Sequence, residues 1–478
     1  MQVYDTMTGA KRELEPLKDN KLNVFVCGQT VYDDAHLGHA RTYISFDIIV
    51  RWLRHLGYEV RYAQNITDID DKIIARAKER GMEAIELARY YEARFMEDMK
   101  AIGTFESVNE YPRSHDYIDA VRNQIQLLLD KGYAYLLGGD VYYDVAKFKN
   151  YTRLSGMKVE ELTKHRIEPK EGKHNTYDFA LWKEAKEGEP SWQIRVVSEG
   201  KREMLLNGRP GWHIEDTAMT YSLFGAQYDI HGGASELIFP HHTNEIAQAE
   251  AAFGVVPFVR YWLHSGVLNI RGQKMGKSLK NFITIRDVLA KYRKEALRLF
   301  ICSTHYRKEI NYTEELMSDA NRLMYYINQS LGILYNMPHS EGGGGEELVK
   351  SMEDMERDFV QAMSDDFNTP VALMRFVAAM RDIRAFAASS KGVDRESKER
   401  AIAVASKLGA LLGILNEELY RQSLPGELKR MIDEREALRA RKEFEAADRI
   451  RGELETKHGI MLEDTEYGPV WYPAAERK

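Results

Sequence analysis

Cysteine is almost missing from this chain: Cys27 and Cys302 are the only two among 478 residues. Two thiols cannot staple a chain of this length, which excludes a disulfide framework and points to a reducing, cytosolic setting. Long apolar runs are missing as well. No uninterrupted stretch of about 18 apolar residues occurs, so no membrane span is expected. The opening residues, MQVYDTMTGAKRELEP, hold no basic stretch followed by an apolar core, and no secretory leader is expected. Positive charge is not in excess either. A net charge of −7 argues against a surface for indiscriminate nucleic-acid binding, while leaving a local basic face open. What remains is an ordinary globular composition, 44% hydrophobic and 29% charged. The length suits roughly two to four domains.

Periodicity organises the chain. KLNVFVCG (21–28) reads as a short buried strand. Ile44, Ile48, Trp52 and Leu56 recur at fourfold spacing, the stripe of an amphipathic helix that Gly57 stops. EVRYAQNI (59–66) is a second strand, so the three pieces form a βαβ unit and imply a parallel sheet. Thr67 or Asp68 is expected to cap the next helix, which buries Ile73, Ile74 and Ala77. Residues 116–205, with Tyr-rich strand candidates and the charged KHRIEPKEGKHN, read as an insertion that divides the first fold into 1–115 and 206–312. Strand signals vanish from 313, and helices are expected to 420, broken by a flexible GGGG. A charged helix and a small hairpin are expected over 426–478.

Three stretches carry chemistry. His36-Leu37-Gly38-His39 follows a strand and opens a helix, where free N–H groups and the helix dipole attract phosphate. Two imidazoles there can donate to a phosphate in its transition state, and Gly38 leaves room for a nucleotide; the plainer alternative is a pair of turn histidines. GQKMGKSLKNF (272–282) reads as a mobile loop in which Lys274 and Lys277 can neutralise a departing pyrophosphate, although a solvated lysine loop would look the same. It lacks the Gly-x4-Gly-Lys frame of a Walker loop. His241 and Glu245 stand at i and i+4 on one helical face, a metal-ligand spacing to which Cys27 could add a thiolate. An ordinary polar helix start is the alternative.

Together these stretches resemble the cysteinyl-tRNA synthetases, class I aminoacyl-tRNA synthetases. HLGH and KMGKS stand for the HIGH and KMSKS motifs. CGQTVYD, NITDIDDKI, LWKEAKEGEPSW, RPGWHIE, DIHGG, FPHHTNEIAQ, SDDFNTP and GIMLEDT match in order, from about residue 20 to 472. The resemblance implies an α/β fold: a Rossmann-type catalytic domain carrying the insertion, then a helical bundle and a small anticodon-binding domain. It implies activation of cysteine with ATP and Mg²⁺, then transfer to the terminal ribose of tRNA(Cys), by a cytoplasmic enzyme expected to be monomeric. His36, His39, Lys274 and Lys277 would be catalytic, with Gly38, Met275 and Ser278 also at ATP. Gly28, Thr30, Thr67, Trp212 and Glu236 would hold the amino acid. Arg439, Phe444, Asp448 and Asp464 would contact tRNA. The family's zinc ligands fall on Cys27, Asp216, His241 and Glu245.

The chain departs from the family at several of these places. Asp216 replaces a zinc-binding cysteine, and the carboxylate preserves the anionic count, so zinc is expected to be retained. Glu236 replaces an aspartate near the substrate amino group, Thr243 an acidic residue, Gln29 and Asp34 apolar residues, Gly276 a serine and Lys280 a glycine. Two rivals stay open: a relative that activates another amino acid or acylates a small amine, and a non-catalytic RNA-binding paralogue. The intact HLGH and loop lysines speak against the second. Lys277→Ala should cut ATP–pyrophosphate exchange by orders of magnitude while leaving the thermal melt unchanged.

Overall fold

The computed structural model describes residues 1–157, 170–198, 202–276, 279, 281–340, 344–390, 392–421, 424–465 and 468–473. The first half of KHRIEPKEGKHN lies outside them, as does Lys280. β1 (Lys21–Thr30) and β2 (Glu59–Thr67) are the two strands expected from the apolar runs, joined by α1 (Leu37–His55). Val24, Phe25, Val26, Tyr62 and Ala63 are all buried, as strands covered on both faces must be. α2 (Asp71–Arg80) follows β2. Beyond the insertion come α3 (Ile214–Phe224), β3 (Tyr228–Ala234), α4 (Thr243–Phe253) and β4 (Val259–Ser265). The strands lie in the order β4-β3-β1-β2, every neighbouring pair parallel. From β1 the chain first crosses to β2 on one side and only later returns to β3 on the other. The carboxyl ends of β1 and β3 therefore flank a topological switch point, where open α/β sheets bind ligands.

Local details differ from the sequence reading in instructive ways. Leu56 is 38% exposed and lies outside the stripe, because α1 closes at His55 and Gly57 turns the chain at φ +91°. The cap of α2 is Asp70, not Thr67 or Asp68. Strand pairing holds Thr67, His115 engages Asp68, and the extended Asp70 accepts from the Lys72 N–H at 2.7 Å. In β1 the register slips between Val26 and Gln29, a bulge that re-aims Cys27. Gly28 donates its N–H to Asn65 Oδ1 at 2.5 Å, and a Cβ there would fall 1.6 Å from the Asn65 carbonyl oxygen. Only glycine permits so close an approach of two backbones.

The insertion is a five-stranded antiparallel sheet in the order Ala134–Leu137, Asp140–Tyr143, Phe179–Glu184, Glu203–Pro210, Trp192–Val197. The helix Ile118–Asp130 shares its core, through Val121, Ile125 and Leu128 with Tyr143, Leu181 and Trp182. The strand Glu203–Pro210 runs past the expected boundary at 205 because Trp182 still pairs with Pro210.

Contacts gather the chain into two units. The first comprises Met1–Asn269, Gln273–Arg286 and Tyr306–Ile310 and contains both of these sheets. The second comprises Ile270–Gly272, Asp287–His305 and Asn311–Lys478. Its long helices are Glu314–Asn336, Glu346–Ser364, Thr369–Ser389 and Arg395–Leu412. Thr313, Asn368 and Asp394 each cap one of them with a side-chain oxygen.

The single helix expected from 426 is two, Gly426–Ala440 and Phe444–His458, followed by the hairpin Ile460–Thr465 with Gly468–Pro473. Lys442 turns the chain at φ +67°. Folding back brings Leu428 and Ile432 onto Leu454, Ile460, Leu462 and Trp471, which one straight helix would leave in water. Arg435 is fully buried, whereas Phe444 is 56% exposed, since it opens the second helix just after the turn.

Arg435 grips Asp464 with two hydrogen bonds of 2.7 and 2.8 Å, and Arg439 and Arg451 approach the same carboxylate at 3.2 and 3.7 Å. The Arg435 bond holds Asp464 below the usual carboxylate pKa. The clamp therefore contributes fully above the ordinary carboxylate range and is lost as pH falls through the lowered value. Asp464→Asn should destabilise the hairpin by about 1–2 kcal/mol, a charged hydrogen bond discounted for partial exposure. Faster amide exchange over 460–465 would register the loss.

Candidate active site

A cleft of about 330 Å³ opens at the carboxyl ends of β1 and β3. β1 supplies Cys27, Gly28 and Thr30, the start of α1 supplies His36, Gly38 and His39, and β2 supplies Thr67. Trp212, Asp216, Glu236, His241, Lys274 and Met275 complete the assigned residues found in its wall. Glu245 lies behind this wall, fully buried. Lys277 and Ser278 lie outside the described residues. The stretch after them is tied to the first motif, because Leu37 donates to the Ile283 carbonyl at 3.1 Å and Ile285 to that of Ala35 at 3.0 Å.

His36 is both a cap and a cleft residue. Its Nδ1 accepts from the N–H groups of Gly38 and His39 at 3.0 and 3.4 Å, while His39 Nδ1 accepts from the His36 N–H at 3.3 Å. This is a capping box built from imidazoles, with the rings stacked at 3.8 Å. A neutral ring whose Nδ1 accepts carries its hydrogen on Nε2, so hydrogen bonding assigns both rings as Nε2 donors. Burial, reinforced by His36 and Lys72, pushes the pKa of His39 well down and keeps it neutral. A Cβ on Gly38 would meet the His36 ring at 2.9 Å, so the stacked pair requires glycine.

Below the cleft, four donors converge. Cys27 Sγ lies 3.4 Å from Asp216 Oδ2, which lies 3.0 Å from His241 Nε2, which lies 3.1 Å from Glu245 Oε1. The four offered ligand atoms all fall within 4.8 Å of one another. Asn65 Nδ2 donates to the other Asp216 oxygen at 2.7 Å, and His213 holds His241 Nδ1 at 2.8 Å. Burial, with Asp216 and Glu245 nearby, pushes the Cys27 thiol well up. Burial and Asp216 do the same to Glu245, neither of whose oxygens has a hydrogen-bond partner. Such a group of buried, mutually repelling donors fits a cation.

Of the substituted positions, Asp216 and Glu236 line the cleft. Among the described residues, the other four serve the scaffold. Gln29 donates to the Asp33 carbonyl at 2.8 Å, Asp34 pairs with Arg94 at 2.9 Å, Thr243 donates to the Ile238 carbonyl at 2.7 Å, and Gly276 donates to Asn281 at 2.8 Å. Glu236 is engaged by Lys274. In the second unit, Asp448 is exposed, and Asp464 is clamped by Arg435 and Arg439.

Sequence reasoning missed His231, His242 and His264. His231 and His242 place Nε2 at 3.3 and 3.2 Å from Cys27 Sγ, and His264 holds the far nitrogen of His242 at 2.8 Å. Their signal was present: the histidine doublet His241-His242, and single histidines on two neighbouring parallel strands.

Residues 13–322 match the family described as tRNA synthetases class I (C) catalytic domain, and 358–416 match the DALR domain. The chain is 43% identical to the cysteine–tRNA ligase of Thermococcus kodakarensis, with 98% of each chain covered. It is 41% identical to that of Azotobacter vinelandii, covering 98% of this chain and 99% of the other. Among solved structures, Mycobacterium tuberculosis methionyl-tRNA synthetase in complex with methionyl-adenylate shares the fold, with a TM-score of 0.58 at 16% identity over 84% of this chain and 92% of that one. Agreement of this extent, on a cleft lined by His36, Gly38 and His39 and by Lys274 and Met275, makes the chain a member of the cysteine–tRNA ligase family of class I aminoacyl-tRNA synthetases.

Proposed function

We propose that the cleft activates cysteine with ATP and that the aminoacyl group then passes to the terminal ribose of tRNA(Cys). The observation that carries this reading is the convergence of His36, His39, Lys274, Cys27, Asp216 and His241 on one cavity. In the first step the cysteine carboxylate oxygen bonds to the α-phosphorus, and the bond to the β-phosphate oxygen breaks. The nucleophile is already ionised, so the protein needs no general base. Its task is positioning and charge stabilisation.

The Nε2–H groups of His36 and His39 donate to the α-phosphate, where negative charge gathers on the equatorial oxygens. Lys274, with Lys277 on the same loop, neutralises the departing pyrophosphate beside Mg²⁺. Gly28, Thr30, Thr67 and Trp212 shape the amino-acid end, and Glu236 accepts from the substrate ammonium.

The buried cluster fits zinc. Tetrahedral zinc with bonds of about 2.0–2.3 Å separates its donors by roughly 3.4–3.6 Å. Three neighbouring pairs at 3.0–3.4 Å lie near that spacing, and all four ligand atoms fall within 4.8 Å of one another. The orphaned Glu245 oxygens and the Cys27 thiol supply anionic donors that burial otherwise penalises. Cys27, Asp216, His241 and Glu245 would hold the ion at the cleft. Bound there, it supplies a soft Lewis acid that favours a thiolate over an alcohol, giving discrimination against serine without editing.

For tRNA, Phe444 offers an exposed stacking face and Asp448 an exposed acceptor for base amino groups. Asp464 acts by fixing Arg439. ATP–pyrophosphate exchange across an amino-acid panel, followed by charging of tRNA(Cys), tests the whole reading. Exchange should depend on cysteine, and Asp448→Ala should lower charging at least tenfold with exchange intact. Exchange supported only by another amino acid would replace cysteine as substrate, and none with any amino acid would remove the catalytic reading.

A further inference from the structure

The donors around Cys27 form two overlapping quartets. One is the cleft-facing set of Cys27, Asp216, His241 and Glu245. The other is Cys27, His231, His242 and Glu245, whose offered ligand atoms also lie within 4.8 Å of one another. Of this second set only Cys27 reaches the cleft wall; His231, His242 and Glu245 have no exposure at all. We infer that, in the absence of substrate, this protein keeps its zinc in the inner quartet, behind Cys27. The inference rests on the reading that the chain binds zinc and adds which residues hold it at rest.

Three observations carry it. The first is the donor set. With aspartate at 216 the outer quartet offers one sulfur, one imidazole and two carboxylates, whereas the inner quartet offers one sulfur, two imidazoles and one carboxylate. Zinc is a borderline-soft ion for which imidazole and thiolate are preferred partners. The second is charge. Three anionic ligands around a divalent ion leave one net negative charge, and two leave none. In so deeply buried a cluster, the neutral assembly is the less costly.

The third is orientation. The remote nitrogens of both inner histidines are held. His231 Nδ1 lies 2.5 Å from the Tyr228 hydroxyl, and His242 Nδ1 lies 2.8 Å from His264 Nε2. His264 Nδ1 in turn lies 2.8 Å from Thr6 Oγ1. These contacts are met when each Nδ1–H donates outward, the tautomer a metal-bound pair requires, and the Nε2 atoms of His231 and His242 then face Cys27 Sγ with free lone pairs at 3.3 and 3.2 Å. Outer-sphere partners that hold the rings in this way are the usual support of metal-bound histidine. Glu245, with both oxygens orphaned, belongs to both quartets and stays in place whichever is filled.

X-ray absorption at the zinc edge of the full chain, purified without chelator and without amino acid, separates the two stations. Both contain one sulfur, but they differ in imidazole scattering. Two imidazoles per zinc are expected, falling to one in His231→Gln or His242→Gln. Asp216→Asn should keep one zinc per chain by elemental analysis, with the two-imidazole spectrum unchanged. One imidazole in the unaltered protein, or loss of zinc from Asp216→Asn, would overturn the inner station and leave the zinc reading standing. Protein that contains no zinc at all would overturn that underlying reading instead.

Discussion

A thiol and two carboxyl groups, Cys27, Asp216 and Glu245, are buried within reach of one another. That constraint organises the catalytic unit. Burial pushes the pKa values of Cys27 and Glu245 well up. A fold gains nothing in stability from such a cluster, because apolar side chains of similar size would pack at less cost. Its presence is explained by what it can hold. Around it the surrounding polar groups are arranged as support: Asn65 for Asp216, His213 for His241, Tyr228 for His231 and His264 for His242.

The sheet brings these groups together from places far apart in sequence. Cys27 comes from the bulge in β1, Asp216 from the first turn of α3, His231 from β3, and Glu245 from the first turn of α4. Parallel strands are what make this possible, since every strand delivers its carboxyl end to the same edge. Gly28 has a matching role. Its backbone approaches Asn65 closely, which fixes the strand beside Cys27. The chemistry therefore depends on one short irregularity in an otherwise regular strand.

Much of this was legible in the residues. The βαβ period, the helix opened by HLGH and the i, i+4 pair of His241 and Glu245 all follow from local spacing, which local forces decide. What escaped was decided by tertiary contact. Asp70 caps α2 because β2 pairing and His115 had already engaged Thr67 and Asp68. The break at Lys442 is invisible to charge patterning, since it is driven by burial of Leu428 and Ile432 against a hairpin further along. Gln29 and Asp34 look like pocket substitutions by their position next to the motif. Their partners, Asp33 and Arg94, make them scaffold residues. His231 and His242 carried a signal in the sequence, but only the tertiary fold brings them to one sulfur.

The imidazole capping box at the start of α1 has an evolutionary consequence. Helix caps are normally interchangeable, and serine, aspartate or asparagine would begin this helix as well as histidine does. Here the nitrogen that starts the helix and the nitrogen that faces the cleft belong to one aromatic ring, so satisfying the first dictates the hydrogen on the second. On the proposed mechanism, aspartate at position 36 would keep the helix start and lose the ring's Nε2–H donor, so helix formation and turnover both bear on a single side chain.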